Sequence, residues 1–248
     1  MKDKIKTIFT KIKKQLIEEI YPSNITCYNC DTELTKPNKY HLCNSCIDKT
    51  NIIKNCCKKC SEELNDFTDF CLNCKDAKRN FDRVYSVATF DKVAKDIVYK
   101  FKYGKNVYMS DCIIPFLLDK VSEINLKEID LITSIPLSQE RLKERGFNQA
   151  KILSDKLSKE LNIESCDVLK RVKNTPTQTS LTKLERKQNL VNAFIVEDKQ
   201  KIKDKNILVI DDIITTGATF DEVAKLLKSK GANKVFGLTF CHTKNNKI

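Results

Sequence analysis

Apolar residues recur along the chain with two different spacings, and the spacing changes near residue 81. Between residues 1 and 20 they fall at helical intervals with lysines at other positions, which predicts an amphipathic helix. Such a helix packs on its own protein or lies on a membrane or a partner, and its pattern does not decide between these roles. From Phe81 onward short apolar runs alternate with helical patterns, which indicates an α/β domain over residues 81–248.

The α/β domain is predicted to contain strand and helix units around a parallel sheet. Predicted strands span Phe81–Phe90, Ile129–Ile135, Ile207–Ile210 and Lys234–Phe240, and predicted helices span Asp91–Phe101, Phe147–Leu161 and Thr219–Lys230. The continuous apolar run at Ile207–Ile210 is typical of a strand buried on both faces. Because ligands of such sheets gather at the carboxyl ends of the strands, we expect the chemistry just past this run.

Two adjacent carboxylates and a polar turn follow this strand. Asp211 and Asp212 can accept hydrogen bonds from a vicinal diol, such as the hydroxyls of ribose, or hold a magnesium ion. The backbone amides of the turn Thr215–Thr219 can surround a phosphate, and Gly217 allows the backbone to approach an anion closely. The two features together predict a site for a sugar phosphate.

The same turn has a plainer interpretation as the start of a helix. Thr219 and Glu222 have the spacing of a capping box, although this leaves the paired aspartates unexplained. The lysine-containing P-loop pattern of nucleotide-binding proteins is absent from the motif, so ATP hydrolysis is not indicated.

Basic residues are concentrated in three other places. Lys100, Lys102 and Lys105 surround Tyr103, as either a solvated face or phosphate contacts. A loop at Pro136–Gly146, predicted to follow a strand, contains Arg141, Lys143 and Arg145 and is well placed for an anion. The stretch from Arg171 to Ala193 combines the polar run of residues 175–180 with a basic helical piece and is predicted to be a mobile flap.

Nine of the twelve cysteines lie between residues 27 and 74, which separates a small cysteine-rich domain, residues 21–80, from the α/β domain. Eight of them form four CxxC pairs: Cys27 and Cys30, Cys43 and Cys46, Cys57 and Cys60, and Cys71 and Cys74. Two pairs supply the four thiolates of a structural zinc site, so the spacing predicts two zinc ribbons. Sequential pairs share an ion in one arrangement, and the first and third pairs share one in the interleaved alternative. The spacings do not match those of common iron–sulfur clusters.

The remaining cysteines and the nearby histidine are predicted to have structural roles. Cys57 is a better ligand than its neighbour Cys56 because only Cys57 gives the CxxC spacing with Cys60. The eight paired cysteines already complete two sites, so His41 is expected to be a surface or loop residue. Three scattered cysteines, Cys112, Cys166 and Cys241, are expected to be small buried residues.

Composition narrows the functional classes only partly. The net charge is +12 at pH 7, and two four-thiolate zinc sites would lower it to about +8. A basic surface suits phosphorylated ligands or nucleic acid without separating them. No apolar run approaches the length of a membrane span, and the N-terminus has no signal-peptide core, so we expect a cytoplasmic protein. In a reducing compartment dense CxxC pairs indicate metal binding rather than disulfides.

Several motifs together are characteristic of a known family. DDIITTGAT after an apolar strand resembles the phosphoribosyl-pyrophosphate (PRPP) signature of type I phosphoribosyltransferases. The segments at Ile135–Ala150 and Thr175–Phe194, with the cysteine pairs before them, resemble the ComF (ComFC) competence family. Members of this family join a zinc-ribbon segment to a phosphoribosyltransferase-like domain, so the resemblance implies that fold here. Glutaminase chemistry is not indicated, because no domain with a nucleophilic cysteine is present.

The resemblance also implies roles for individual residues. Asp211 and Asp212 would hold the ribose hydroxyls, and the turn would surround the 5′-phosphate. Arg141 and Arg145, with magnesium, would stabilise the departing pyrophosphate, and the flap around Gln178 would cover the site. The residues implied in PRPP binding are Lys102, Pro136, Gln178, Asp211, Asp212, Ile213, Ile214, Thr215, Thr216, Gly217, Ala218 and Thr219.

Three hypotheses about function follow. The first is a transferase that moves phosphoribosyl from PRPP to an unknown acceptor during natural transformation. The second is a non-catalytic protein of DNA uptake that binds single-stranded DNA, uses PRPP as a regulatory ligand and works with other competence proteins such as a DNA translocase. Aromatic residues do not clearly alternate with basic ones in the cysteine-rich segment, so the sequence signal for DNA is weak. The third is a zinc scaffold with a vestigial fold that does not bind PRPP.

Overall fold

The α/β part of the protein is built on a parallel sheet. The computed structural model describes residues 25–64, 68–104, 106–124, 126–173, 190 and 192–243. Within these residues four parallel strands form a sheet in the order β1, β6, β5, β2, and β3 and β4 form a separate antiparallel pair. The strands are β1 (Arg83–Thr89), β2 (Leu131–Ser134), β3 (Leu169–Arg171), β4 (Phe194–Val196), β5 (Asn206–Ile214) and β6 (Lys234–His242). The predicted parallel sheet is confirmed.

Helices cover both faces of the sheet. They are α1 (Asn44–Lys49), α2 (Leu72–Lys75), α3 (Lys92–Tyr103), α4 (Met109–Val121), α5 (Gln139–Arg145), α6 (Gln149–Leu161) and α7 (Ala218–Ser229). Successive residues of a strand point to opposite faces, and β5 follows this rule. Leu208 and Ile210 pack in the core layer that contains α3, α4 and α6, while Ile207 and Val209 pack in the layer that contains α7. All four side chains are fully buried, as expected for a strand covered on both sides.

The basic segment after Pro136 is a helix for most of its length, so the prediction of a loop was wrong. Residues 139–145 are nearly all strong helix formers, and they make up α5. Ser138 caps the helix through its side-chain oxygen, which accepts from the N–H of Arg141 at 3.4 Å. Gly146 ends it with φ of 82°. The arginines are therefore presented from a helix of defined direction.

Strand β5 is longer than predicted, and the helix after it begins differently. The strand continues through both aspartates because its pairing with β6 extends to Ile214 opposite His242. Helix α7 begins at Ala218, directly after Gly217, which has no side chain to cap it, and the Thr216 hydroxyl accepts the N–H of Ala218 at 3.4 Å. The predicted capping box is therefore absent: Thr219 lies inside the helix, and the Glu222 carboxylate instead accepts from the N–H of Asn192 at 3.4 Å. The plain interpretation of the turn as a capped helix start is wrong.

The cysteine-rich segment packs directly on the α/β part. The chain between its two halves lies along β1, where the N–H of Ile53 donates to the carbonyl of Val87 at 2.9 Å. The first half contacts α4, since Lys39 forms a 2.7 Å ion pair with Asp119 and the Tyr40 hydroxyl donates to the same carboxylate at 2.6 Å. Backbone and side-chain contacts therefore fix the segment against the sheet.

Some predictions concern residues outside the described ranges, namely the amphipathic helix at residues 1–20, Lys105, and most of the predicted flap, including Gln178. The division of the chain at residue 80 stays a prediction. None of the helices in the described part of the chain has the length and hydrophobicity needed to cross a bilayer.

Candidate functional site

A cleft of about 560 Å³ lies at the carboxyl ends of the parallel strands. Its walls contain all of the described residues that were expected to bind PRPP or to act in catalysis: Lys102, Pro136, Arg141, Arg145 and the continuous run from Asp211 to Thr219. These residues come from α3, from α5 and the segment before it, and from β5, the turn that follows and the start of α7. The parallel order of the strands therefore brings the separate motifs to one place.

The paired aspartates have different surroundings. Asp212 is only 5% exposed, and its Oδ2 lies 2.7 Å from Nζ of Lys102. Asp211 lies at the cleft and accepts the backbone N–H of Asp212 at 2.9 Å. Burial raises the pKa of Asp211, and the charge of Asp212 raises it further, while Lys102 acts in the opposite direction. Lys102 thus offsets the charge of Asp212, whereas burial and the neighbouring carboxylate both disfavour the ionised form of Asp211.

The lysines at the end of α3 both have partners within the protein, so they do not form a solvated face, and a contact with phosphate stays a prediction. Lys100 donates to the carbonyls of Tyr28 at 3.1 Å and Asn29 at 2.5 Å, between the first two cysteines. Lys102 pairs with Asp212. Helix α3 therefore connects the first cysteine pair with the carboxylates of the cleft.

The turn after β5 is shaped to receive an anion. Gly217 has φ of 75°, a conformation that residues with a Cβ seldom adopt. A Cβ there would meet Ile214 and Phe81 no closer than 3.6 Å, so the backbone conformation, rather than lack of space, calls for glycine. Among the described residues, the amide N–H groups of Thr216 and Gly217 have no hydrogen-bond acceptor. Unpaired amides at the start of a helix are suited to a phosphate.

Three guanidinium groups face the cleft opposite the carboxylates. Arg141 and Arg145 come from α5, and Arg171 comes from the end of β3. Burial lowers the pKa of Arg171, and the charge of Arg141 lowers it further, while the charge of Asp211 acts in the opposite direction. Sequence reasoning placed Arg171 only at the border of the flap, because its strand of three residues is too short to be recognised. Three cationic groups that line one cleft are suited to an anion.

A row of aromatic rings at the cleft was also missed. Tyr99 and Tyr103 are 48% and 58% exposed, one helical turn apart on α3, with ring centroids 5.7 Å apart. Phe90 stacks on Tyr99 at 6.1 Å, and the guanidinium of Arg145 lies 5.3 Å from the ring of Tyr103. Their spacing of four residues was a usable signal, but exposure on the cleft side could not be known before the helix was placed.

The eight paired cysteines form two clusters, in the sequential arrangement. One contains Cys27, Cys30, Cys43 and Cys46, the other Cys57, Cys60, Cys71 and Cys74, and the sulfurs of each lie within 4.8 Å of one another. The Cys30 and Cys43 sulfurs are 3.7 Å apart, as are those of Cys60 and Cys71. Tetrahedral zinc with bonds of about 2.3 Å needs sulfurs about 3.8 Å apart, so both clusters could hold zinc. Cys56 is not a member of either cluster.

The other cysteines and the histidines complete this picture. Cys112 and Cys241 are fully buried, as predicted, but Cys166 is only partly buried, and Nζ of Lys201 lies 3.2 Å from its sulfur. His41 stacks on Tyr28 with centroids 4.7 Å apart and is not in a cluster. His242, which sequence reasoning did not consider, lies within 4.8 Å of the ligand atoms of Cys60 and Glu62. His242 is the last residue of β6, next to Thr243 at the cleft, and it is far in sequence from Cys60 and Glu62.

Comparison with known proteins supports these assignments. The model of the phosphoribosyl transferase domain family matches residues 142–247. Competence protein F of Haemophilus influenzae is 31% identical over 162 residues, which are 63% of this chain and 71% of that protein. The chain belongs to the competence protein F (ComF) family. Two further relatives are the DNA utilization protein YhgH of Escherichia coli, 31% identical over 66% of this chain and 73% of its own length, and competence protein ComFC of Bacillus subtilis, 27% identical over 85% and 80%.

The family match and the geometry agree on the architecture. In this ComF protein the phosphoribosyltransferase match begins in α5 and includes β5, the turn after it and β6. The two cysteine clusters lie before it in the chain. The resemblance stated from the sequence and the predicted fold class are both confirmed.

Proposed function

We propose that this ComF protein binds PRPP in the cleft and acts in the cytoplasm in DNA uptake, transferring phosphoribosyl to an acceptor that is still to be identified. One observation carries the proposal: a single cleft joins a carboxylate pair, a turn with unpaired amides and three guanidinium groups. PRPP offers a diol, a 5′-phosphate and a pyrophosphate, which match these three parts. The names of the relatives support a role in competence and DNA use.

In the proposed complex each wall of the cleft has a separate role. Asp211, supported by Asp212, accepts hydrogen bonds from the ribose hydroxyls, and Lys102 holds Asp212 in place. The turn at Thr215–Thr219 receives the 5′-phosphate. Arg141, Arg145 and Arg171 hold the pyrophosphate, and they stabilise the charge that develops when an acceptor nucleophile attacks the anomeric carbon and pyrophosphate leaves.

The cleft also contains donors suited to magnesium. Carboxylate and phosphate oxygens are the ligands that magnesium prefers, and Asp211, unlike Asp212, is not tied in an ion pair with Lys102. Asp211 would therefore hold the ion, which supplies further positive charge next to the pyrophosphate. For the cysteine clusters we propose two structural zinc ions, since four thiolates leave no open position for substrate.

Thermal stabilisation tests the binding proposal. PRPP with magnesium at about a hundred times its Kd should stabilise the protein by about 2.7 kcal/mol, whereas Asp211→Ala/Asp212→Ala should show no shift. Absence of a shift in the parent protein would refute PRPP binding and favour a vestigial fold. Transformation frequency in cells that carry the double variant tests the biological role, because a normal frequency would exclude the site from DNA uptake. Pyrophosphate release with candidate acceptors tests catalysis.

A non-catalytic role in binding single-stranded DNA is the second candidate. The exposed rings of Tyr99 and Tyr103 beside Arg145 combine stacking surfaces with positive charge, as single-strand binding sites do. In this version PRPP is a regulatory ligand, and other competence proteins such as a DNA translocase are partners. Fluorescence anisotropy with a labelled oligonucleotide should show loss of affinity in Tyr99→Ala/Tyr103→Ala, and unchanged affinity would exclude these rings.

A further inference from the structure

Three consecutive residues between the second cysteine cluster and β1 each contact the anion-binding turn or the helix after it. Arg79 donates through Nη2 to the carbonyl of Thr216 at 3.1 Å. The N–H of Asn80 donates to the carboxylate of Asp221, in the first turn of α7, at 2.6 Å. Phe81 is 1% exposed and lies against Gly217. Residues 79–81 therefore hold the turn and the start of α7 in place.

Arg79 also contacts the second cysteine cluster. The same Nη2 donates to the carbonyl of Asn73 at 3.3 Å, and Asn73 lies between Cys71 and Cys74. One nitrogen thus joins the backbone of a metal-binding pair to the backbone of the turn. Hydrogen bonds from a charged donor are among the stronger ones in proteins.

The cluster itself is anchored on the sheet. The N–H of Val84 donates at 2.9 Å to the backbone carbonyl of Lys59, which lies between Cys57 and Cys60. The Ser61 hydroxyl donates to the carbonyl of Val84 at 2.8 Å. A metal ion bound by the four thiolates would hold Asn73 in a fixed position relative to Val84. The guanidinium of Arg79, which bonds Asn73, would then be fixed as well when it bonds Thr216.

The bond to Thr216 has a direct effect on the anion site. A trans peptide is planar, so the carbonyl of Thr216 and the N–H of Gly217 point in opposite directions. Arg79 holds the carbonyl of Thr216 on the side of the cysteine cluster. This fixes the direction of the Gly217 N–H, which has no acceptor among the described residues. Anion sites made of backbone amides depend on such fixed directions.

We propose that Arg79 is a positioning residue that couples the second metal cluster to the phosphate-binding turn. Metal in this cluster then keeps the turn in its anion-binding conformation. The consequence for ligand affinity rests on the proposed binding of PRPP, whereas the coupling itself is a property of the ligand-free protein.

Hydrogen–deuterium exchange of residues 211–220 without ligand tests the coupling. Arg79→Ala should exchange at least tenfold faster there with the zinc content unchanged, and Arg79→Lys, which keeps a cationic donor, should lie between it and the parent. The matched control is Lys39→Ala, which removes the contact with Asp119 between the cysteine-rich segment and α4, away from the cleft. Equal exchange in Arg79→Ala and Lys39→Ala would overturn the proposal. Should Arg79→Ala fail to fold, Arg79→Lys decides: faster exchange than in the parent at residues 211–220 with zinc retained supports the proposal, and parent-like exchange overturns it.

Two further measurements separate the parts of the proposal. Cys74→Ser, which should bind one zinc ion fewer, should also exchange faster at residues 211–220. Parent-like exchange in this variant would show that the metal has no part in the coupling. The Kd for PRPP should rise about tenfold in Arg79→Ala and stay unchanged in Lys39→Ala. If the parent does not bind PRPP, the proposed function fails, while the exchange data still decide the coupling.

Discussion

The ion pair between Lys102 and Asp212 gives the sharpest test of the described cleft. The two charged groups are 2.7 Å apart, with side chains only 16% and 7% exposed. Replacing Lys102 by methionine would leave the carboxylate buried without its partner. Breaking a buried pair in this way costs about 3–5 kcal/mol. Because Lys102 retains some exposure, we expect a loss of about 3 kcal/mol, and a decrease in Tm of roughly 6–12 °C for a chain of this size.

Denaturant unfolding at pH 7 measures this loss against a matched surface pair. Lys156 forms a 2.5 Å ion pair with Asp111, but these side chains are 34% and 47% exposed. Lys156→Met should therefore cost only about 0–1 kcal/mol, since solvent screens exposed charges.

A double variant shows whether the cost comes from the unpaired charge. Lys102→Met/Asp212→Asn removes both charges, so most of the lost stability should return relative to Lys102→Met. The reasoning is refuted if Lys102→Met costs no more than Lys156→Met. It is also refuted if Asp212→Asn restores none of the stability, because the loss would then come from packing alone.

Three other predictions concern the pKa of Asp211, the glycine of the turn and the metal. The raised pKa of folded Asp211 means that its ionisation opposes folding as pH rises above the unfolded value of about 3.9, so Asp211→Asn should be more stable than the parent at pH 7. Thermal unfolding should show this gain vanishing below about pH 4, and a constant gain would contradict the assignment. Gly217→Ala, at φ of 75°, should lose about 1–2 kcal/mol and weaken PRPP binding, whereas Gly231→Ala, at φ of 105° and away from the cleft, should lose stability alone. A chelator should release two zinc ions per chain and lower Tm, and a colorimetric assay that finds one ion would show that one cluster is not a zinc site.

Local sequence signals were sufficient for the central strand and for which cysteines belong to the clusters, but not for which CxxC pairs share a cluster. The apolar run before Asp211 can be buried only in a sheet covered on both faces, and the spacing of the CxxC pairs limits which thiols can meet. Both kinds of signal lie within a short stretch of chain, where the backbone itself sets the geometry.

The features that were missed depend on contacts between distant parts of the chain. Arg79 has an ordinary sequence context and gains its role only when the second cysteine cluster lies beside Thr216. Arg171 sits on a strand of three residues and lines the cleft because the fold brings β3 and α5 to the same place. The ion pair of Lys102 with the buried carboxylate of Asp212 was not foreseen, and a contact of Lys102 with phosphate stays a prediction. Charge partners of this kind cannot be assigned from spacing.

The distribution of charge in the cleft explains why a ligand such as PRPP with magnesium would suit it. Like charges lie close together at two places in the cleft. The charge of Asp212 raises the pKa of Asp211, and the charge of Arg141 lowers the pKa of Arg171. Lys102 relieves only part of the repulsion between the carboxylates. Placing like charges close together lowers the stability of a protein. Groups with shifted pKa values that share a cleft are typical of binding and catalytic sites. A metal-bound diphosphate sugar brings a cation and hydroxyl donors to the carboxylates and an anion to the arginines, so one ligand would remove both sources of repulsion.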